Sequence, residues 1–207
     1  MTQTGRKATL ALVAAIAMMM AERASAQDEP TAAPGRQEAT IVLHVINYAA
    51  LTNAVLNVAK ARVAMVYDLI GVRIVWVDDK HTVVRHHGGR LHLTVLLLSR
   101  DMAERTISAG DIKDGVLARA HVTSGRASIF CDRIATAPGV PNFPIPLGDV
   151  ITHEVGHLVL GANSHSRSGI MRADMDVKAL HLRSFDKRQA AAIRTSLMEL
   201  TAGNTER

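Results

Sequence analysis

His153-Glu154-Val155-Gly156-His157 sets two imidazoles four residues apart, with a carboxylate beside the first. On an α-helix four residues advance about 400°, so the two histidines stand about 40° apart on one face and about 6 Å apart along the axis. Both rings can then reach one metal ion, as in an H-E-x-x-H zinc motif. Glu154 lies about 100° round from His153, too far to share that coordination easily. It can instead face a zinc-activated water and take its proton. The chemistry this pattern supports is hydrolysis, with zinc as cofactor and Glu154 as general base.

Two ligands are too few, because a catalytic zinc takes three protein ligands and keeps one position open. Gly161 lets the chain leave the helix and turn back, and His165 is the next side chain able to bind zinc well. Asn163 is nearer but is a poor zinc ligand. Asp174, Asp176 and His181 are the remaining candidates. The other histidines carry less: His44 and His92 fall in strands and read as satisfied structural residues. His86-His87 lie in a turn, and His81 and His121 have no visible partner set. Cys131 is the only cysteine. It ends the strand-like run from Ala127 and reads as a buried thiol, with no internal disulfide to form.

The elements that must position these residues follow from periodicity. Thr40–Tyr48, Val72–Val77 and Leu91–Leu98 read as strands, the last apolar nearly throughout and so buried on both faces. Leu51–Ile70 reads as a helix, with Val55, Ala59, Val63, Val66 and Ile70 at steps of three and four, and Gly71 ends it. Residues 101–115 suit a short helix and a loop. Val116–Val122 and Ala127–Cys131 read as an antiparallel hairpin. Pro138, Pro141, Pro144 and Pro146 mark an irregular loop. The motif helix is expected from about Leu147 to Leu160, with Asp149 in its first turn facing the helix dipole. A last helix is expected over Phe185–Leu200. One helix between the first two strands implies a parallel crossover. The fold class is α/β (α+β), a mixed, twisted sheet carrying helices.

The 207 residues are 48% hydrophobic, 21% charged and only 3% aromatic, enough for one domain with an aliphatic core. Arg6 and Lys7, the apolar run Ala8–Ala21 and the small-residue site Ala24-Ser25-Ala26 read as a signal peptide over residues 1–26. Residues 27–38 read as a flexible lead-in and residues 39–207 as a single domain. The expected location is therefore secreted or periplasmic, with no membrane contact after cleavage. Net charge is +5, and cleavage would remove Arg6, Lys7, Arg23 and Glu22, leaving a mild basic excess. No basic stripe interleaved with aromatics is visible, which argues against a nucleic-acid partner.

On these residues the chain resembles the metzincin clan of zinc metallopeptidases, and within it the short, matrixin-like bacterial forms. It is also similar to small exported bacterial proteins with the motif H-E-x-G-H-L-L-L-G-x-N-S-H-S-x-x-G-I-M, which here runs from His153 to Met171. The resemblance implies a five-stranded mixed sheet with an antiparallel edge strand, a helix under the cleft and another after the Met-turn. It implies zinc on His153, His157 and His165, Glu154 as base and then proton donor, and Met171 as an apolar floor. It further implies a peptide or protein substrate extended along the edge strand at 116–122. The chain itself is expected to be a monomer. The usual clan spacing is H-E-x-x-H-x-x-G-x-x-H; here Leu160 holds the glycine position and Asn163 the third-ligand position. That departure leaves two alternatives beside a secreted zinc endopeptidase. One is an exported metal- or peptide-binding protein with little turnover, and the other is a structural domain without metal.

Overall fold

Ala39–Asn47 is rich in β-branched and aliphatic residues and forms strand β1. The computed structural model describes residues 39–78, 90–137, 140, 142–174 and 183–202. The expected signal peptide and lead-in, His81, the His86–Gly89 turn, Asp176 and His181 lie outside them. Helix α1 (Asn53–Asp68) is capped by Thr52 Oγ1, which accepts from the Val55 N–H at 3.4 Å. Its buried Leu56, Ala59, Val63 and Val66 recur at helical spacing.

Strands β2 (Val72–Asp78), β3 (Leu91–Leu98), β4 (Ala118–His121) and β5 (Arg126–Phe130) complete one sheet in the order β2-β1-β3-β5-β4. β1 is parallel to β2 and β3, β3 is parallel to β5, and β4 is antiparallel to β5. The expected mixed five-stranded sheet with an antiparallel edge is what the chain forms. The β4 edge is shorter than the predicted 116–122, because Val122–Ser124 turns into a 3₁₀ helix closed by left-handed Gly125. Among the described residues, the other helices are α2 (Arg100–Ala109), α3 (Cys131–Thr136), α4 (Pro144–Leu160) and α5 (Lys187–Ala202).

Strand alternation divides the core. Leu93, Val95 and Leu97 of β3 join the main cluster with residues of α1 and α4, such as Val63, Val66, Leu147 and Ile151. Leu98, of opposite parity, packs with Ala103 of α2 and Phe130 in a small second cluster. The loop from α2 to β4 is fastened from α3: Arg133 Nη1 donates to the carbonyls of Lys113 at 3.1 Å and Val116 at 2.9 Å.

Three expectations are corrected. Cys131 opens α3 rather than ending a strand, though its thiol is buried and pushed up to about 12 by that burial. The last helix begins at Lys187, so Phe185 is buried just before it. The motif helix begins at Pro144, because proline suits a first turn whose N–H groups have no intrahelical partner. Asp149 is therefore past the first turn and does not serve the dipole. It is buried against α1, with its Oδ1 accepting from Arg62 Nε at 2.7 Å. Arg183 Nη1 lies 3.9 Å from its other oxygen. At Gly148 the helices meet so closely that a Cβ would fall 2.7 Å from Arg62 Cβ.

Candidate metal centre

Helix α4 carries the motif through the interior, and every residue from Pro146 to Leu158 is buried. Its first histidine, His153, directs Nδ1 at the Ile170 carbonyl, 2.8 Å away. A carbonyl can only accept, so Nδ1 carries the proton and the Nε2 lone pair is free. His157 does the same one turn on, with Nδ1 2.9 Å from Ser164 Oγ and 3.2 Å from the Gly161 carbonyl. Burial pushes His153 down to about 4, with His157 and His165 acting in the same sense and the Ile170 carbonyl opposing. His157 is also lowered, again mainly by burial. Both rings are thus neutral near pH 7, the state a metal needs.

The helix stops at Gly161, whose φ of 94° and ψ of 166° belong to a region open essentially to glycine alone. Four residues later the chain returns His165 to the site. His157 Nε2 is 3.0 Å from His153 Nε2 and 3.0 Å from His165 Nε2. Zinc–nitrogen bonds of about 2.0–2.1 Å in a tetrahedral site set neighbouring nitrogens about 3.3–3.4 Å apart, so the two 3.0 Å pairs need spread only slightly to take such an ion. Among the described residues these three histidines are the only group of His, Cys, Asp or Glu side chains placed to hold a metal. Asp174, another candidate from the sequence, is committed elsewhere: its carboxylate takes a forked pair of bonds from Arg172, both from Nη2 at 2.9 Å. His44 and His92 face one another at 3.0 Å on neighbouring strands. His121 ends β4 and is exposed.

Glu154 is buried beside the trio, and burial pushes it up to about 7 against the pull of the Ala120 N–H, which donates to its carboxylate. That contact comes from the sheet edge. Phe130 N–H donates to the Leu117 carbonyl at 2.9 Å, which fixes the alternation of the β4–β5 pair. The N–H and C=O groups of Ala118 and Ala120 therefore point away from β5. This outward edge, Val150 of α4 and the histidines bound a cleft of about 720 Å³.

Met171 lies beneath the motif helix, fully buried, where a Cβ on Gly156 would fall 2.5 Å from its sulfur. Ser166 N–H closes the turn onto the Met171 carbonyl, and Ile170 N–H donates to the Ser184 carbonyl, each at 2.9 Å. Sequence reasoning does not single out Gly156, Ser164 or Arg62. A signal existed for the glycine, since a helix-interior glycine costs about 1 kcal/mol relative to alanine and asks for a packing reason.

The same fold occurs in archaemetzincin from Methanopyrus kandleri, at a TM-score of 0.51 and 14% identity over 80% of this chain and 99% of that one. A zinc-dependent peptidase from Methanocorpusculum labreanum aligns with 74% of this chain and 99% of its own length, at a TM-score of 0.48 and 11% identity. The archaemetzincin likeness is one of fold. No protein-family model and no curated protein matches the sequence.

Proposed function

We propose that this chain is an exported zinc-dependent endopeptidase, with His153, His157 and His165 as ligands and Glu154 as general base. The observation that carries the reading is the convergence of three imidazoles beside a buried carboxylate, in a cleft walled by a strand edge. Zinc bound there would supply Lewis acidity, lowering the pKa of a water to about 7 and polarising a carbonyl. Glu154 takes the water's proton and returns it to the departing amine, two tasks suited to a group that titrates near neutrality. A peptide extended along β4 meets the outward N–H and C=O of Ala118 and the C=O of Ala120. Export rests on the basic, apolar and small-residue order of residues 6–26. A mature chain beginning at Gln27 is the expected mass-spectrometric result.

Glu154→Gln tests the core of this reading. The variant should retain one equivalent of zinc and lose cleavage by about 10²–10⁴-fold, the usual contribution of a positioned base. Cleavage at the wild-type rate would remove Glu154 from the mechanism. A second reading, a peptide- or metal-binding protein with little turnover, draws on one contact: Glu154 is engaged by the Ala120 N–H. It predicts bound zinc and measurable peptide affinity, with no cleavage across a broad peptide library.

A further inference from the structure

His165 follows His153 by twelve positions, two more than the usual spacing of the clan that the sequence resembles. The longer connection places a hydroxyl over the second histidine. Ser164 Oγ donates to the Gly161 carbonyl at 2.7 Å and lies 2.9 Å from His157 Nδ1. A serine hydroxyl has one proton, and here it is spent on the carbonyl. Only its lone pairs remain for His157, so Nδ1–H must donate. That tautomer leaves the acceptor on Nε2, the atom that stands 3.0 Å from both other ligand nitrogens.

The loop bearing Ser164 is tied to the start of α5. Gln189 Nε2 lies 3.5 Å from the Ser164 carbonyl. Gln189 is itself held in a reciprocal cap: its N–H donates to Asp186 Oδ1 at 2.8 Å, and its Oε1 accepts from the Asp186 N–H at 3.2 Å. The same stretch also supports the first histidine. The Ser184 carbonyl accepts from Ile170 N–H at 2.9 Å, and the Ile170 carbonyl accepts from His153 Nδ1. The acceptors behind two of the three histidines thus rest on residues 184–189.

We propose that Ser164 is a positioning residue for the zinc site, with its backbone braced by Gln189, and that the longer connection to His165 serves to seat it. This rests on the zinc reading above. Zinc dissociation constants, measured by chelator competition on the full chain, test it beside the melting temperature of the metal-free protein. Ser164→Ala should weaken zinc binding about 10–100-fold, the usual effect of losing an outer-shell partner, and leave the metal-free melting temperature unchanged. Ser164→Thr, which keeps the hydroxyl, should recover most of the affinity. Gln189→Glu keeps the acceptor that caps α5 but removes the donor to Ser164, so it should weaken zinc in the same direction. Wild-type zinc affinity in Ser164→Ala overturns the proposal. A loss matched by a fall in metal-free stability overturns it too, by making the role merely structural. Failure of the wild type to bind one equivalent of zinc sinks the zinc reading, and the proposal with it, which distinguishes the two failures.

Discussion

Met171 and Gly156 show what one missing methyl group allows. The sulfur occupies the space where a β-carbon on Gly156 would stand, so the motif helix can settle on the turn that presents the Ile170 carbonyl to His153. Gly156→Ala should destabilise the protein by about 1–3 kcal/mol through overpacking, despite alanine's better helix propensity. Adding Met171→Ala should restore part of that loss, and a urea-denaturation double-mutant cycle measures the coupling. His153, Glu154 and His157 are legible in the sequence because helix geometry alone decides where residues four apart face. His165 is legible by type, since few side chains bind zinc well, but its approach depends on a turn at Gly161 that spacing does not define. Ser164 and Gly156 are not legible as site residues. Their meaning lies in partners brought to them by tertiary packing, and serine and glycine have many ordinary uses.

At the scale of elements, α4 owes its placement to α1. Arg62 and Asp149 are both buried, 2.7 Å apart, and joined across 87 positions of sequence. Asp149→Ala removes the carboxylate that Arg62 grips, and breaking a buried pair from one side costs about 3–5 kcal/mol. Chemical denaturation should show that loss, and a cost under about 1 kcal/mol would place the pair among ordinary surface contacts. Helical periodicity made α1 legible, and runs rich in Val, Ile and Leu made β1, β2 and β3 legible. The reading of Asp149 as a dipole partner failed for two local reasons. Pro144 and Pro146 are compatible with a first helical turn, so the helix starts earlier than a proline-rich stretch suggests. The true partner is also too distant in sequence for any periodicity to show it. The edge strand belongs to this scale as well. If an extended peptide pairs with Ala118 and Ala120, methylating the peptide nitrogen that bonds Ala118 C=O should raise KM with little change in kcat, and an unchanged KM would remove the edge from substrate binding.

Taken as a whole, the molecule should respond to metal and to alkali in predictable directions. An ion that binds only the folded chain stabilises it by mass action, by about 4.1 kcal/mol at a free concentration 1,000 times its dissociation constant. Zinc should therefore raise the melting temperature and a chelator should lower it, with no shift expected if the histidines hold no ion. Burial pushes the Cys131 thiol from 9.0 to about 12, and the Tyr67 phenol is raised well above 10.0 by the same cause. Above about pH 9 the unfolded chain begins to lose protons that the folded chain keeps, so stability falls as pH rises from there. Urea midpoints across pH 7 to 10 should decline at the alkaline end, and Cys131→Ala should flatten part of the slope. The parallel crossover from β1 to β2 was legible from one intervening helix, but the β2-β1-β3-β5-β4 order was not, because it depends on which faces find one another in space.

The second, smaller core cluster has a kinetic consequence. Ala103 is the only buried residue that α2 contributes, so that helix has little apolar area holding it to the sheet. Local opening is cheapest where buried contacts are few. In deuterium-exchange experiments α2 amides should therefore label well before those of β3. The Arg133 bonds to the Lys113 and Val116 carbonyls stand between that helix and the β4 edge. Labelling rates should drop at this clamp, so that one wall of the cleft keeps its shape while the helix leading into it breathes.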